Sequence, residues 1–160
     1  MREQILSTIE KNSRIALSEL ATLLGTEEII IANEMAALEA EGIICGYHTM
    51  INWEKSSIEK VTALIEVKIT PQRGMGYDNI AERIYKYSEV DSVYLISGGY
   101  DLMVILEGKS LRAVASFVND KLATIDGVLS TATHFILKKY KDHGTVLNEE
   151  FVDSREKVRP

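Results

Sequence analysis

The spacing of apolar residues changes near residue 42, and the change predicts two kinds of structure in one chain. Before Gly42, apolar residues recur every three to four positions, as in three short amphipathic helices. The second and third helices are predicted to begin at the caps Ser18 and Thr26 and to end at Gly25 and Gly42. Two helices joined by such a short turn form a helix-turn-helix motif.

After Gly42 the apolar residues alternate with polar ones, which is typical of extended chain. An extended segment is predicted up to residue 51 and a polar link over 53–60. Strands are then predicted at 61–70, 92–97, 100–107 and 128–138, and helices at 77–87 and 110–122. The order β-α-β-β-α-β predicts a ferredoxin-like sandwich.

The predicted fold class is therefore α+β, an N-terminal helix-turn-helix domain followed by a ferredoxin-like βαββαβ domain. The predicted boundaries are 1–46 for the helix-turn-helix domain, 47–60 for an extended linker, 61–140 for the βαββαβ domain and 141–160 for a polar tail that frays. Both predicted helices of the second domain cover one face of its sheet. The other face is expected to be rich in Leu, Val and Ile, so a second copy of the chain is predicted to cover it.

Charge limits the classes of partner. The chain has 24 acidic and 18 basic residues, a net charge of −6, and the excess is concentrated in residues 1–60, where ten acidic residues face five basic ones. An acidic surface opposes binding to a phosphate backbone, so composition alone argues against nucleic acid.

Location is predicted from what the sequence lacks. No run of eighteen apolar residues occurs, and the charged start MREQILSTIEKNSR does not resemble a signal peptide. The single cysteine cannot form an internal disulfide framework. These features predict a cytoplasmic protein with no membrane partner.

Two motifs in this order resemble the Lrp/AsnC family of feast/famine transcription regulators. The first is the run Leu38, Glu39, Gly42, Ile43, Ile44, Gly46 and Tyr47, and the second is the loop SGGYD with Gly98, Tyr100 and Asp101. The resemblance covers about residues 3–140 and makes the second domain a RAM-type domain. It implies homodimers with their sheets face to face, assembly into tetramers or octamers, and a small-molecule effector, usually an amino acid, near the loop. No cofactor and no metal are implied.

The SGGYD loop suits an amino-acid effector. Gly98 and Gly99 are predicted to adopt φ > 0 and to offer backbone N–H groups to a carboxylate. Asp101 can face an ammonium or lock the loop by accepting its N–H groups, and Tyr100 supplies an apolar wall with a polar tip. The alternative is an ordinary hairpin turn in which Asp101 only bonds its own loop.

The last predicted strand offers weaker candidates for the same pocket. Thr131 and Thr133 share one face of this strand, and the alternative is that they form a polar stripe at the dimer seam. His134 points to the opposite face and is interpreted as a structural residue.

The resemblance implies that the third helix binds double-stranded DNA, commonly with Arg four residues before the buried Leu38. Glu34 occupies that position, and residues 27–41 contain five carboxylates and no cation. Weak binding with a shallow salt dependence is expected, and oligomers would compensate by avidity. The candidate DNA-binding residues are Lys11, Arg14, Lys55 and Lys60 for phosphates, Thr26 at the start of the third helix, Asn33 for an adenine edge, and Glu28 and Ile29 beside them.

Two other functions stay open at this point. The acidic helix-turn-helix can serve instead as a protein-interaction module in a ligand-sensing oligomer. An enzyme is the third alternative, but the sequence has no nucleophile, phosphate-loop or metal-site pattern. We therefore predict no catalytic residues and no metal ligands.

Overall fold

The structure is a computed structural model, and it describes residues 1–70 and 76–147. The chain divides into two compact units, one from Met1 to Ile51 and one that begins at Asn52. The first unit contains α1 (Arg2–Lys11), α2 (Leu17–Leu24) and α3 (Glu28–Ala40). The three predicted helices are confirmed.

The helical unit is held by a small apolar core. Ile5, Leu20, Ile31 and Leu38 are fully buried, and Leu6, Leu24 and Met35 pack around them as half-buried neighbours. One or two residues from each helix therefore meet at the centre, as the 3.6-residue spacing requires.

The predicted N-caps are wrong. α2 begins after Ala16 and α3 after Glu27, both in extended conformation and neither with a side-chain cap hydrogen bond. Thr26 belongs to the end of α2, because its backbone N–H donates to the Ala21 carbonyl at 3.0 Å. Gly25, at φ +64°, ends α2 as predicted.

The extended segment predicted after Gly42 begins later than expected. The backbone N–H groups of Ile43 and Ile44 both donate to the Leu38 carbonyl, at 2.9 and 3.1 Å, and so close the end of α3. Residues 45–51 belong to no strand.

The second unit begins with a 3₁₀ turn, Trp53–Lys55, and contains the predicted sandwich. Its elements are β1 (Val61–Ile69), α4 (Tyr77–Tyr85), β2 (Val90–Leu95), β3 (Leu102–Gly108), α5 (Leu111–Phe117) and β4 (Val128–Phe135). The sheet is antiparallel with the strand order β2-β3-β1-β4. The α+β class and the βαββαβ order are confirmed.

Element ends differ from the sequence-based ones by a few residues. The largest difference is in the helix predicted at 110–122. Here α5 stops at Phe117, and a wider π-helical turn, Val118–Leu122, follows. This turn keeps both Val118 and Leu122 in the core. A π-helical turn holds one residue more than an α-helical turn, so it changes which side chains face the core without breaking the helix.

The core of this unit lies between the sheet and its helices. Ala63, Ile65 and Val67 of β1 are fully buried, as the alternation predicted. They lie beside the buried side chains of β3 and beneath Ile84 and Val114 of the two helices.

The other face of the sheet, here called the open face, is more polar than expected. Residues directly opposite in an antiparallel pair share a face, so the strand register defines its members. They are Thr62, Leu64, Glu66, Lys68, Ser92, Tyr94, Met103, Ile105, Glu107, Ser130, Ala132 and His134. The prediction of a face rich in Leu, Val and Ile is wrong, because only a few apolar side chains lie there among charged and hydroxyl side chains.

The start of the predicted tail is ordered. β5 (Lys141–Asp142) and β6 (Thr145–Val146) form a hairpin through His143 and Gly144, whose φ angles are +42° and +81°. Two consecutive positive φ values match a type I′ turn. Residues 141–147 therefore do not fray, and the rest of the predicted tail lies outside the described residues.

In the described ranges no helix is long and apolar enough to cross a membrane. Those ranges also contain no group of three or more His, Cys, Asp or Glu side chains that could hold a metal ion.

Candidate functional site

One exposed stripe along α3 carries no charge. Ile29, Asn33, Ala36 and Ala40 follow one another at spacings of three and four residues and are all exposed. We call these four residues the α3 stripe. The Ile29 side chain is 60% exposed. The sequence-predicted residues Ile29 and Asn33 therefore lie together on one accessible surface.

Three of the five carboxylates on and beside α3 have hydrogen-bond partners inside the helical unit. Arg2 of α1 donates from Nε to Glu34 and from its two terminal nitrogens to Glu41, at 2.8 and 2.9 Å. Tyr47 donates its hydroxyl proton to Glu39 at 2.7 Å. The acidic surface expected from the sequence is thus partly neutralised from within.

These contacts raise the pKa of Arg2, chiefly through its hydrogen bonds to Glu41, and they shift the pKa values of two further groups. Hydrogen bonding from Arg2 holds the pKa of the Glu41 carboxyl below its ordinary value. Hydrogen bonding to Glu39 raises the pKa of the Tyr47 hydroxyl. Both shifts keep the partners in the protonation states that hold the contacts at neutral pH.

The predicted phosphate-binding residues differ in their exposure and in their contacts. Lys11 and Arg14 are exposed at the end of α1 and in the turn after it, where the Arg14 backbone N–H donates to the Asn12 side chain at 3.2 Å. Lys60 is occupied in the second unit, because it donates to Glu107 at 2.8 Å and lies 4.1 Å from the centre of the Trp53 ring. Lys55 is exposed.

Thr26 and Glu28 lie at the start of α3. Glu28 is exposed in the first turn, where the helix dipole favours a carboxylate. Thr26 is half-buried and is used in ending α2. The helix therefore begins next to negative charge, which opposes phosphate binding at that end.

Asp101 bonds the ends of the strands through its side chain and through its backbone. Its carboxylate accepts a hydrogen bond from the backbone N–H of Ile69 at 2.7 Å, its own N–H donates to the Val67 carbonyl at 3.0 Å, and its carbonyl accepts from the N–H of Ile96 at 2.8 Å. The Ile69 contact lies where the register of β1 against β4 shifts. The Asp101 carboxylate therefore bonds the neighbouring strand and not its own loop, because the pairing of β1 with β3 ends at Val67 and leaves the Ile69 N–H without a ladder partner.

The predicted φ > 0 at Gly98 and Gly99 is wrong. Neither residue has a positive φ, so the loop turns without the left-handed conformation. A Cβ atom added at Gly99 would meet no heavy atom within 4 Å, and one at Gly98 would meet only Ile96. The loop is therefore open toward solvent.

Several backbone donors of this loop are available. Within the described part of the chain, the N–H groups of residues 97–100 make no hydrogen bond. The hydroxyl of Tyr100 lies 3.8 Å from the sulfur of Met103, and Met103 belongs to the open face. The loop therefore lies at the rim of the open face, with donors that can receive an anion.

The two threonines do not join this loop. Thr131 and Thr133 are paired with Val67 and Ile65 and so point to the helix side of the sheet, away from the open face. Thr131 is two strand spacings, about 10 Å, from the loop side of β3. They share one face as predicted, but they are not at a seam formed by the open face. His134 is on the open face, with its Nε2 3.4 Å from Glu66 Oε1.

The sequence interpretation missed Arg2 and Ile69 as partners of site residues. Arg2 is 32 and 39 residues from Glu34 and Glu41, and Ile69 is 32 residues from Asp101. No local pattern links residues so far apart, so no signal in the sequence marked them.

Comparisons with known proteins agree with this architecture. Residues 62–146 match the model of the Lrp/AsnC ligand binding domain. An uncharacterized HTH-type transcriptional regulator of Bacillus subtilis, YugG, is 48% identical over 98% of this chain and 95% of its own length. The HTH-type transcriptional regulator LrpA of Pyrococcus abyssi is 31% identical over 86% of this chain and 94% of its own.

A solved structure has the same fold. The L-Met complex of the transcriptional regulator NMB0573 from Neisseria meningitidis superposes with a TM-score of 0.70 at 24% identity, over 88% of this chain and 90% of that one. The resemblance inferred from the two sequence motifs is confirmed: the chain belongs to the Lrp/AsnC family of HTH-type transcriptional regulators.

Proposed function

We propose that the chain is an amino-acid-responsive, DNA-binding transcriptional regulator of the cytoplasm that works as homodimers assembled into larger oligomers. The observation that carries the proposal is the SGGYD loop, which offers unused backbone N–H groups at the rim of the open face. The family supports the regulator class, and a relative of known structure holds L-methionine.

The loop suits a zwitterion by its chemistry. Consecutive backbone N–H groups can receive the α-carboxylate, as in other backbone anion sites. The Tyr100 ring supplies an apolar surface, and the Asp101 carboxylate lies beside the loop. A second subunit on the open face would enclose the ligand, since the rim is open on that side in one chain.

DNA binding is assigned to α3 and the turn before α2. The α3 stripe offers the Asn33 amide, which can pair with adenine, and the Ile29 side chain, which can contact a thymine methyl group. Lys11 and Arg14 supply positive charge for phosphates. This combination has few cations, so affinity depends on several helical units acting together in an oligomer.

A thermal-shift screen tests the sensing part. Each of the twenty amino acids is added separately at millimolar concentration, and the matching D-enantiomer serves as the control for any hit. A ligand at 100 times its Kd raises the free energy of unfolding by about 2.7 kcal/mol. If no amino acid raises the melting temperature, the sensing part of the proposal fails.

A fluorescence anisotropy titration with random-sequence duplex at low salt tests the DNA part. The wild type should bind, and added salt should weaken binding with a shallow slope. The amino acid found in the screen should change the affinity or the oligomer size. Absence of any binding at low salt would contradict a DNA role.

One observation favours a second function. Of the three basic residues in the helical unit, Arg2 is paired with two carboxylates, which leaves Lys11 and Arg14 for DNA. A protein-interaction module needs no phosphate contacts, so a small number of unpaired basic residues would not impair it. The anisotropy titration separates the two, because only the DNA-binding protein gives a salt-dependent signal.

A further inference from the structure

Arg2 is placed to control the charge of α3. It is the second residue of the chain and belongs to α1, but its guanidinium is bound to two carboxylates of the α3 region. Glu34 and Glu41 are seven residues apart and therefore lie on the same side of the helix. The guanidinium forms a bidentate pair with Glu41. In this geometry Arg binds carboxylates most specifically.

The contact lies at the edge of the proposed DNA-binding surface. By helix geometry, Glu34 and Glu41 are about a third of a turn from the α3 stripe. Both are far enough from the stripe to leave it unobstructed. At this distance their charge is still within a Debye length, about 10 Å at 0.1 M salt, of anything bound to the stripe.

The sign of the effect follows from the charges. Arg2, Glu34 and Glu41 together carry −1, whereas the two carboxylates alone would carry −2. A phosphate backbone near α3 is repelled by uncompensated carboxylates. Of the other basic residues, only Lys11 and Arg14 lie in the same unit.

We propose that Arg2, bound to Glu34 and Glu41, is an electrostatic positioning residue for DNA binding, because it cancels part of the negative charge of α3 and so allows the uncharged stripe to approach a phosphate backbone. The inference rests on the proposed DNA-binding function. Arg2 itself need not contact DNA. It supplies from α1 a positive charge that α3 lacks.

Two substitutions with opposite expected effects test the proposal. Arg2→Gln leaves both carboxylates uncompensated, and we expect roughly threefold to tenfold weaker binding to random-sequence duplex at low salt. Glu41→Gln removes one carboxylate and leaves Arg2 in place, so binding should be stronger than in the wild type by a similar factor. Both differences should shrink as salt is added.

A purely structural role predicts a different result. Both substitutions break hydrogen bonds of the same cluster, so a structural role of Arg2 would make both variants bind more weakly. Melting curves are recorded for each variant, and the titrations are done well below the lowest melting temperature. Weaker binding of folded Glu41→Gln would therefore overturn the proposal.

Glu82→Gln is the matched control. It makes the same change in net charge and also breaks an ion pair, that of Glu82 with Lys86 at 2.7 Å, but in the second unit. We expect its affinity to equal that of the wild type. An increase as large as that of Glu41→Gln would show that only overall charge matters, which contradicts a specific role for Arg2.

The failures of the two proposals can be told apart. If the wild type binds duplex and neither Arg2→Gln nor Glu41→Gln changes the affinity, the inference about Arg2 is wrong and DNA binding stands. If the wild type does not bind duplex at low salt, the DNA-binding function is wrong and the inference falls with it.

Discussion

At the scale of single residues, Asp101 shows how a site residue can be fixed by the sheet. Its carboxylate holds the N–H of Ile69, and its backbone bonds Val67 and Ile96. These contacts place the SGGYD loop against the ends of three strands. Asp101 therefore supports the loop whether or not it also faces an ammonium group.

We expect Asp101→Ala and Asp101→Asn to separate these two roles. Alanine removes the acceptor of a half-buried N–H and should lower the free energy of unfolding by about 1–3 kcal/mol. Asparagine keeps an oxygen acceptor but removes the charge, so it should be nearly as stable as the wild type. If the charge binds an ammonium, Asp101→Asn should still lose the amino-acid response.

Amide hydrogen exchange of Ile69 gives the measurement for the support role. The Ile69 amide should exchange faster in Asp101→Ala and near the wild-type rate in Asp101→Asn. The neighbouring Val67, paired with Leu102 in the ladder, is the internal reference. An unchanged Ile69 rate in Asp101→Ala would show that the 2.7 Å bond does not hold the loop.

At the scale of secondary-structure elements, Gly127 directly precedes β4 and packs against Ile80 of α4. It has φ +93°, and a Cβ atom added there would lie 2.8 Å from Cδ1 of Ile80. Its carbonyl also accepts the N–H of Thr70 at 2.9 Å, which fixes the end of β1. Glycine suits this position because of the backbone conformation, and a Cβ atom here would force the Ile80 side chain to move.

Gly127→Ala should therefore destabilise the second unit by about 1–3 kcal/mol, from backbone strain and overpacking together. Ile80→Val removes the clashing Cδ1 atom and alone should lower stability by about 0.5–1.5 kcal/mol. The double variant should lose less free energy of unfolding than the two single variants lose together, by at least about 0.5 kcal/mol. Denaturant unfolding of the four proteins measures this, and strict additivity would exclude the contact.

At the scale of the whole molecule, the open face is the surface on which the proposed homodimer depends. Its apolar members Leu64, Ile105, Met103 and Tyr94 adjoin one another across β1, β3 and β2. Polar side chains surround them, including Glu66 beside His134 and the ion pair of Lys60 with Glu107. An apolar centre with a polar rim is the usual composition of a protein interface.

We expect Ile105→Lys to convert the protein to a monomer at about 10 µM, because a buried lysine without a partner opposes association. Light scattering coupled to size exclusion gives the mass. Leu111→Lys on α5, where the leucine is 56% exposed, is the matched control and should keep the wild-type mass. An oligomer of unchanged size in Ile105→Lys would mean that another surface joins the subunits.

The sequence by itself determined the elements and their order. Period-3.6 spacing defined the helices of the first unit, and alternation at Ala63, Ile65 and Val67 defined the buried side of β1. These patterns are readable because a helix or strand face is set by residues within a few positions of one another. The predicted caps were wrong because Ser18 lies inside α2 and because the backbone N–H of Thr26 closes the end of α2.

Only the tertiary structure decided which distant groups meet. The pairs of Arg2 with Glu34 and Glu41, and of Asp101 with Ile69, join residues more than thirty positions apart. It also decided which side chains share the open face, because register across strands, and not alternation within one strand, sets that composition. The reason is physical: local propensity acts between neighbours in sequence, whereas hydrogen-bond partners and buried surfaces are chosen when the whole chain packs.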